Sequence, residues 1–211
     1  MANTNLPYGG MVPLYLTEAR KTAMLLPLTN NYGTDVFIGD PSLAVTAGRI
    51  ERGSTSGALL GVVLGLYKQA TPKSIRAERL TPVQYYAATP GTTYEYFALT
   101  TMDPHLFFIM QEDGLSSSLT EALNWAACDI SYGAGGNTKT GMSGALIDSS
   151  TADATATRPL QLIFPAVNFF DVDAGVYNAA SAAGAALNYG KWIVRIFNQQ
   201  LGSGSLAVAF A

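Results

Sequence analysis

Residues 133–140, GAGGNTKT, come within one residue of the loop that cradles nucleotide phosphates, which needs Gly, four residues, Gly, Lys and then Ser or Thr. Thr138 stands where the second Gly belongs, so the amide beside Lys139 must approach an anion past a side chain. A phosphate loop also opens a helix whose N-terminus faces the anion. Here the chain continues as GMSGALIDSST, where Gly141 and Gly144 oppose helix and the alternation favours strand. The spacing predicts a solvent-exposed glycine-rich loop and no bound nucleotide.

The other chemistry-bearing groups are sparse. GSTSG at 53–57 has Thr55 where a nucleophile elbow needs Ser, and GMSGA lacks the closing Gly. Asp171 and Asp173 in FFDVDAG share one face of an extended segment, but no further oxygen ligands follow at calcium-loop spacing. Glu112 and Asp113 in QEDG supply two carboxylates, yet adjacent residues on a strand point to opposite faces and cannot flank one glycosidic bond. The single cysteine, Cys128, excludes an internal disulfide and a cysteine-based zinc site, and is expected to be a buried small hydrophobe. The single histidine, His105, follows Pro104 and precedes LFFIM, a position that favours a structural role. No catalytic, cofactor-binding or metal-ligating set assembles, and a non-enzymatic protein is expected. A hydrolase would be left with a carboxylate mechanism alone.

Composition sets the frame for these groups. Charged residues make up 13% of the 211-residue chain and apolar ones 48%, against roughly 25% charged in an average globular protein. Such a chain covers its surface with Thr, Ser, Asn, Tyr and Gly, or hides much of it against other chains. The net charge is −3 with 12 scattered basic residues, so no basic cluster is available to release counterions from nucleic acid. The longest apolar run, ALLGVVLGLY at 58–67, is about half the ~20 residues a membrane span requires. MANTNLPYGGMVPLYLTEAR lacks a basic leader followed by an apolar run. The expectation is therefore neither a nucleic-acid partner nor a membrane.

The elements that must position these residues are mostly short strands. DVFIGDP (35–41) reads as a strand ending in an Asp-Pro turn, and GALLGVVLGLYKQ (57–69) as a buried strand whose glycines suit a bulge. Residues 81–104 read as two strands about a Pro90-Gly91 turn, followed by the apolar HLFFIM. Residues 115–127, LSSSLTEALNWAA, are the best helix candidate, with Ser118 as cap and Glu121 three residues later. ALIDSST, ATRPLQLIFPAV and KWIVRIFNQQ look like paired core strands, and Trp125 and Trp192 both sit in apolar surroundings that suggest core. The Ala-rich residues 174–190 and the closing LAVAFA are ambiguous. The sum is a mainly β fold, an antiparallel β barrel or sandwich with one or two short helices. Pro7, Pro13 and Pro27 mark residues 1–30 as an extended N-terminal arm before a single β-rich domain over 31–211.

The order of these pieces is informative. NLPYGGMVP, VFIGDPSLAV, GALLGVVLGLY, YEYFALTTMDPHLFFIMQEDG, GNTKTGMSGALIDSST and YGKWIVRIFNQQ occur in sequence over about residues 5–200. In this arrangement the chain resembles the head decoration, cement or auxiliary capsid proteins of tailed phages. It departs at the aromatic-glycine start, where Tyr8 and Gly9 stand in altered form, and in the Ala-rich 174–190 segment. The resemblance implies a virion protein made in the host cytoplasm that binds the outer surface of the assembled head. It implies a homotrimer bridging subunits of the major capsid protein, and needs no cofactor. On that reading the arm residues Leu6, Tyr8, Val12, Pro13 and Tyr15 face the capsid, unless Tyr8 and Tyr15 merely cover the barrel, and deleting residues 1–20 leaves the β domain folded but abolishes capsid attachment. Tyr85, Tyr86, Tyr94 and Tyr96 either supply the trimer contact or are half-buried sheet pairs. The alternative from another class is a receptor- or glycan-binding module of a phage tail or fibre, in which exposed aromatic rings stack on sugars.

Overall fold

The computed structural model describes residues 10–70, 80–114, 119–133, 135–154, 157–166 and 190–201. In chain order the strands begin with β1 (Val12–Pro13), β2 (Ala23–Pro27), β3 (Val36–Phe37), β4 (Pro41–Val45) and β5 (Arg49–Arg52). Next come β6 (Gly61–Ala70), β7 (Thr81–Val83), β8 (Tyr85–Tyr86), β9 (Tyr94–Thr101) and β10 (Phe107–Gln111). The last four are β11 (Ala127–Ser131), β12 (Leu146–Asp153), β13 (Leu160–Pro165) and β14 (Lys191–Ile196). Helix α1 (Leu16–Lys21) is short. The protein is mainly β, as its turn-punctuated sequence predicts.

Every strand ladder is antiparallel. Sheet one has the order β1-β10-β14-β13-β11-β12; sheet two has the order β2-β9-β6-β4-β5, with β7 also paired to β6; β3 and β8 form a two-stranded ribbon. Alternation dictates what each face buries. Phe108 and Met110 on β10, Trp192, Val194 and Ile196 on β14, and Leu160 and Leu162 on β13 point into a central core that also takes Met11, Ala19, Leu59 and Val62. Sheet two turns its other face, with Val63, Leu66 and Ala98, toward Val36 and Tyr86 of the ribbon. These layers fit a sandwich, and no closed barrel forms.

Each sheet nevertheless curls back toward itself. In sheet two, Leu28 just beyond β2 meets Ile50 of β5 in an isolated parallel bridge. Arg49 staples that seam by donating to the Leu28 carbonyl at 2.7 Å and to Glu95 at 3.3 Å. In sheet one, Glu112 beyond β10 meets Ile147 of β12, and the Asp113 amide donates to the Ile147 carbonyl at 2.9 Å.

Three expectations change here. From residue 10 onward the expected arm is built into both sheets: Val12 pairs with Ile109, Ala23 with Thr101, and Met11 and Ala19 are fully buried in the central core. Deleting residues 1–20 removes core side chains and β1, and is expected to destabilise the remaining fold. The helix expected over 115–127 is only a 3-10 turn at Glu121–Leu123 among its described residues. Trp125 then takes a left-handed φ of +72°, and Ala127 enters β11. Backbone pairing of Trp125 and Ala126 with Leu162 overrides the local capping signal. The strands about Pro90-Gly91 do not pair with one another: β7 and β9 flank opposite sides of β6, while β8 pairs with β3.

Candidate functional site

The glycine-rich loop is a packing device. The Asn137 side-chain oxygen accepts from the amides of Lys139 at 2.9 Å and Thr140 at 3.2 Å, closing a tight turn that leads to no helix. A Cβ at Gly136 would lie 2.1 Å from the Phe37 ring, and one at Gly144 would lie 1.5 Å from the Gly135 carbonyl oxygen. These glycines let the loop lie against the ribbon, where Phe37 stacks on Tyr85 with ring centroids 5.3 Å apart. Beyond the loop, the Ser143 amide donates to the Ile38 carbonyl at 2.8 Å and the Ile38 amide donates to the Gly141 carbonyl at 2.9 Å.

The buried acids are occupied as structural pins. One oxygen of Asp40 accepts from the Phe37 amide at 2.8 Å and the other from the Ser143 hydroxyl; burial pushes this carboxyl up to about 6. Glu112 accepts from the amides of Leu119 at 3.0 Å and Gly190 at 2.9 Å, and burial pushes it up to about 7. Asp113 accepts from the Ser149 amide and hydroxyl at 3.2 and 2.8 Å. The GDP, QED and SST segments thus fasten the junction and seam of the sheets, which accounts for those residue types without an active site. Cys128 is fully buried, and burial raises its thiol far above the usual range. His105 is exposed. Among the described residues no group of three or more His, Cys, Asp or Glu could hold a metal ion, and no helix is long and apolar enough to cross a membrane. Asp171 and Asp173 lie outside the described residues.

Among the exposed side chains are several large aromatic and apolar ones. Tyr15, Leu16, Met24 and Leu25 are 60%, 46%, 53% and 39% exposed. They cluster in sequence from the residue before α1 to the middle of β2, an edge strand of sheet two. The Leu28 amide donates to the Tyr96 carbonyl, so residues 24, 26 and 28 face β9 with their backbone groups and Leu25 directs its N–H and C=O away from the sheet. An apolar edge strand with an outward donor and acceptor is a template for another chain.

Of the arm residues expected at an interface, Tyr15 is exposed, Val12 and Pro13 are half-buried in the pairing of β1 with β10, and Leu6 and Tyr8 lie outside the described residues. The tyrosines separate. Tyr86 is buried, meets Tyr96 edge-on at 4.9 Å and donates to the Tyr32 carbonyl, while Tyr85 lies on Phe37. Tyr94 alone is strongly displayed, with the Lys68 ammonium 4.6 Å from its ring centroid. Sequence reasoning overlooked Leu16, Met24, Leu25, Phe107, Trp125 and Phe197. Trp192 is in the core as expected, but Trp125 is 63% exposed, against expectation. A signal existed for the edge strand, since Pro27 at its end is confined to edges and strand ends. Compared with protein-family models, curated proteins and solved structures, the chain matches none.

Proposed function

We propose that this protein is a tailed-phage capsid decoration protein that binds the outside of the assembled head, bridges major capsid protein subunits and acts as a homotrimer. The reading rests on the order of sequence segments that resemble that family. The observation that carries it is the exposed apolar Met24 and Leu25 on an edge strand, with Tyr15 and Leu16 also exposed just before and at the start of α1. Burying such side chains against a partner contributes about 25 cal/mol per Å² of apolar area removed from water, and the Leu25 backbone adds directional hydrogen bonds. A protein that binds only the expanded capsid lattice stabilises that lattice by mass action, and a trimer gains further from effective concentration. No covalent chemistry is required of it.

Substituting Leu25→Lys places a charge on the outward edge without removing a core group. The variant is expected to keep the parent melting temperature and to lose about tenfold or more in affinity for expanded, undecorated capsids, measured by co-sedimentation. Undiminished binding by a folded Leu25→Lys protein would remove this surface from the capsid contact.

A further inference from the structure

The outer face of sheet one carries a second display, unrelated to the β2 edge. Val194, Ile196, Leu160, Leu162 and Phe108 point into the central core, so Arg195, Gln161 and Phe107 point away from it. Phe107 stands opposite Arg195, and Arg195 opposite Gln161, in adjacent strand pairs. The Leu14 amide donates to the Phe107 carbonyl, which turns the Phe107 backbone toward β1. Phe107 and Arg195 are then a non-hydrogen-bonded pair, the arrangement that brings opposite side chains closest. Phe197 follows two residues after Arg195 on the same side and is 44% exposed.

Gln161 ties this row together. Its carbonyl oxygen accepts from Arg195 Nε at 2.8 Å and its amide donates to the Trp125 carbonyl at 3.0 Å. The Trp125 amide is held in turn by the Leu162 carbonyl at 2.8 Å. A tryptophan with a left-handed φ of +72°, both backbone groups bound and a 63% exposed side chain is an uncommon combination. The chain accepts a costly conformation and a solvated indole at one point. Arg195 is paired with an amide and with no carboxylate among the described residues, so its outer guanidinium nitrogens remain available for an anion.

We propose that this face is a binding site for an acidic glycan. Phe107 stands opposite Arg195, Phe197 follows it along the chain and Trp125 is tied through its carbonyl to Gln161, so exposed aromatic residues flank a polar centre, whereas the hot spot of a protein interface places its aromatics at the centre. Aromatic faces carry negative charge density that attracts the weakly positive C–H groups of a pyranose ring. The guanidinium, oriented by Gln161, matches a uronate carboxylate in a charge-assisted pair, and Gln161 can serve hydroxyl groups. From β10 across β14 and β13 to β11 are three inter-strand steps of about 4.8 Å, a span of about 14 Å that suits a short oligosaccharide laid across the strands.

The test is a titration of the full chain at physiological salt with hyaluronan oligosaccharides, which alternate uronate and amide-bearing sugars, beside neutral chitin oligosaccharides of equal length. Tryptophan fluorescence and calorimetry are read for the parent and for Trp125→Ala and Arg195→Met, each first shown to keep the parent melting temperature. Saturable hyaluronan binding, weaker chitin binding, and a loss of about tenfold or more in either variant are expected. No saturable binding, equal binding of the neutral sugar, or unchanged affinity in Arg195→Met overturns the proposal. No capsids enter the titration, so its failure leaves the capsid reading standing.

Discussion

Glu112 shows how a residue that looks like chemistry serves the fold. Its carboxyl takes two backbone amides at the seam of sheet one and is pushed up to about 7 by burial, and Asp40 rises to about 6 for the same reason. A carboxyl whose folded value lies above its unfolded one holds its proton more tightly when folded. Its stabilising contribution is complete below the unfolded value and disappears as the pH rises through the folded value. Stability is therefore predicted to fall between about pH 4.5 and 7, by on the order of 2 kcal/mol from Glu112, which lowers the melting temperature by several degrees. Glu112→Gln, which resembles the protonated acid, should flatten that dependence in melting curves at pH 5 and 8; an unchanged slope would assign the pH effect elsewhere. Gly61 is constrained more simply: a Cβ there would sit 1.7 Å from the Thr101 carbonyl oxygen. Gly61→Ala must push β6 from β9, and a loss of about 2 kcal/mol or more in denaturant unfolding is expected.

At the scale of elements, strands with strong alternation are legible in the sequence and boundaries set by distant pairing are not. KWIVRI carries Trp192, Val194 and Ile196 on one face, a set readable from period 2, while Ile193 on the other face is buried in a separate cluster. The bulge expected from the glycines of 57–69 is present between Val63 and Gly65. The failed helix at 115–127 has an adequate local signal, but Ala127 and its neighbours gain more by completing the β11 ladder. Helix α1 escapes sequence reasoning for the converse reason. Its six residues lack a side-chain cap, and Ala19, buried in the central core, anchors it. The exposed run at Tyr15 to Leu25 is hidden because hydrophobicity alone does not say which strand lies at an edge. The seam of sheet two supplies a sharper test: Arg49 donates to the Leu28 carbonyl, Asn30 and Glu95, with the Glu95 side chain only 7% exposed. Arg49→Met should cost on the order of 2 kcal/mol by removing its contacts to the Leu28 carbonyl, Asn30 and Glu95 together, and its effect should be less than additive with Glu95→Gln in chemical unfolding.

For the whole molecule, the low charge of the chain finds a use in its outward surfaces. Sheet two ends in an apolar edge, sheet one turns an aromatic face outward, and the polar residues that define the sequence motifs are spent inside as pins at the seams. This division is consistent with a protein that works by contact, and under the proposed capsid reading the contact would involve α1 and β2 rather than a detached arm. The central claim is tested most directly by mixing the full-length protein with expanded, undecorated phage heads, sedimenting them, and measuring the melting temperature of the heads. The account predicts saturable co-sedimentation that raises the melting temperature of the heads and is lost with Leu25→Lys. Heads that sediment without the parent protein and melt unchanged would contradict it.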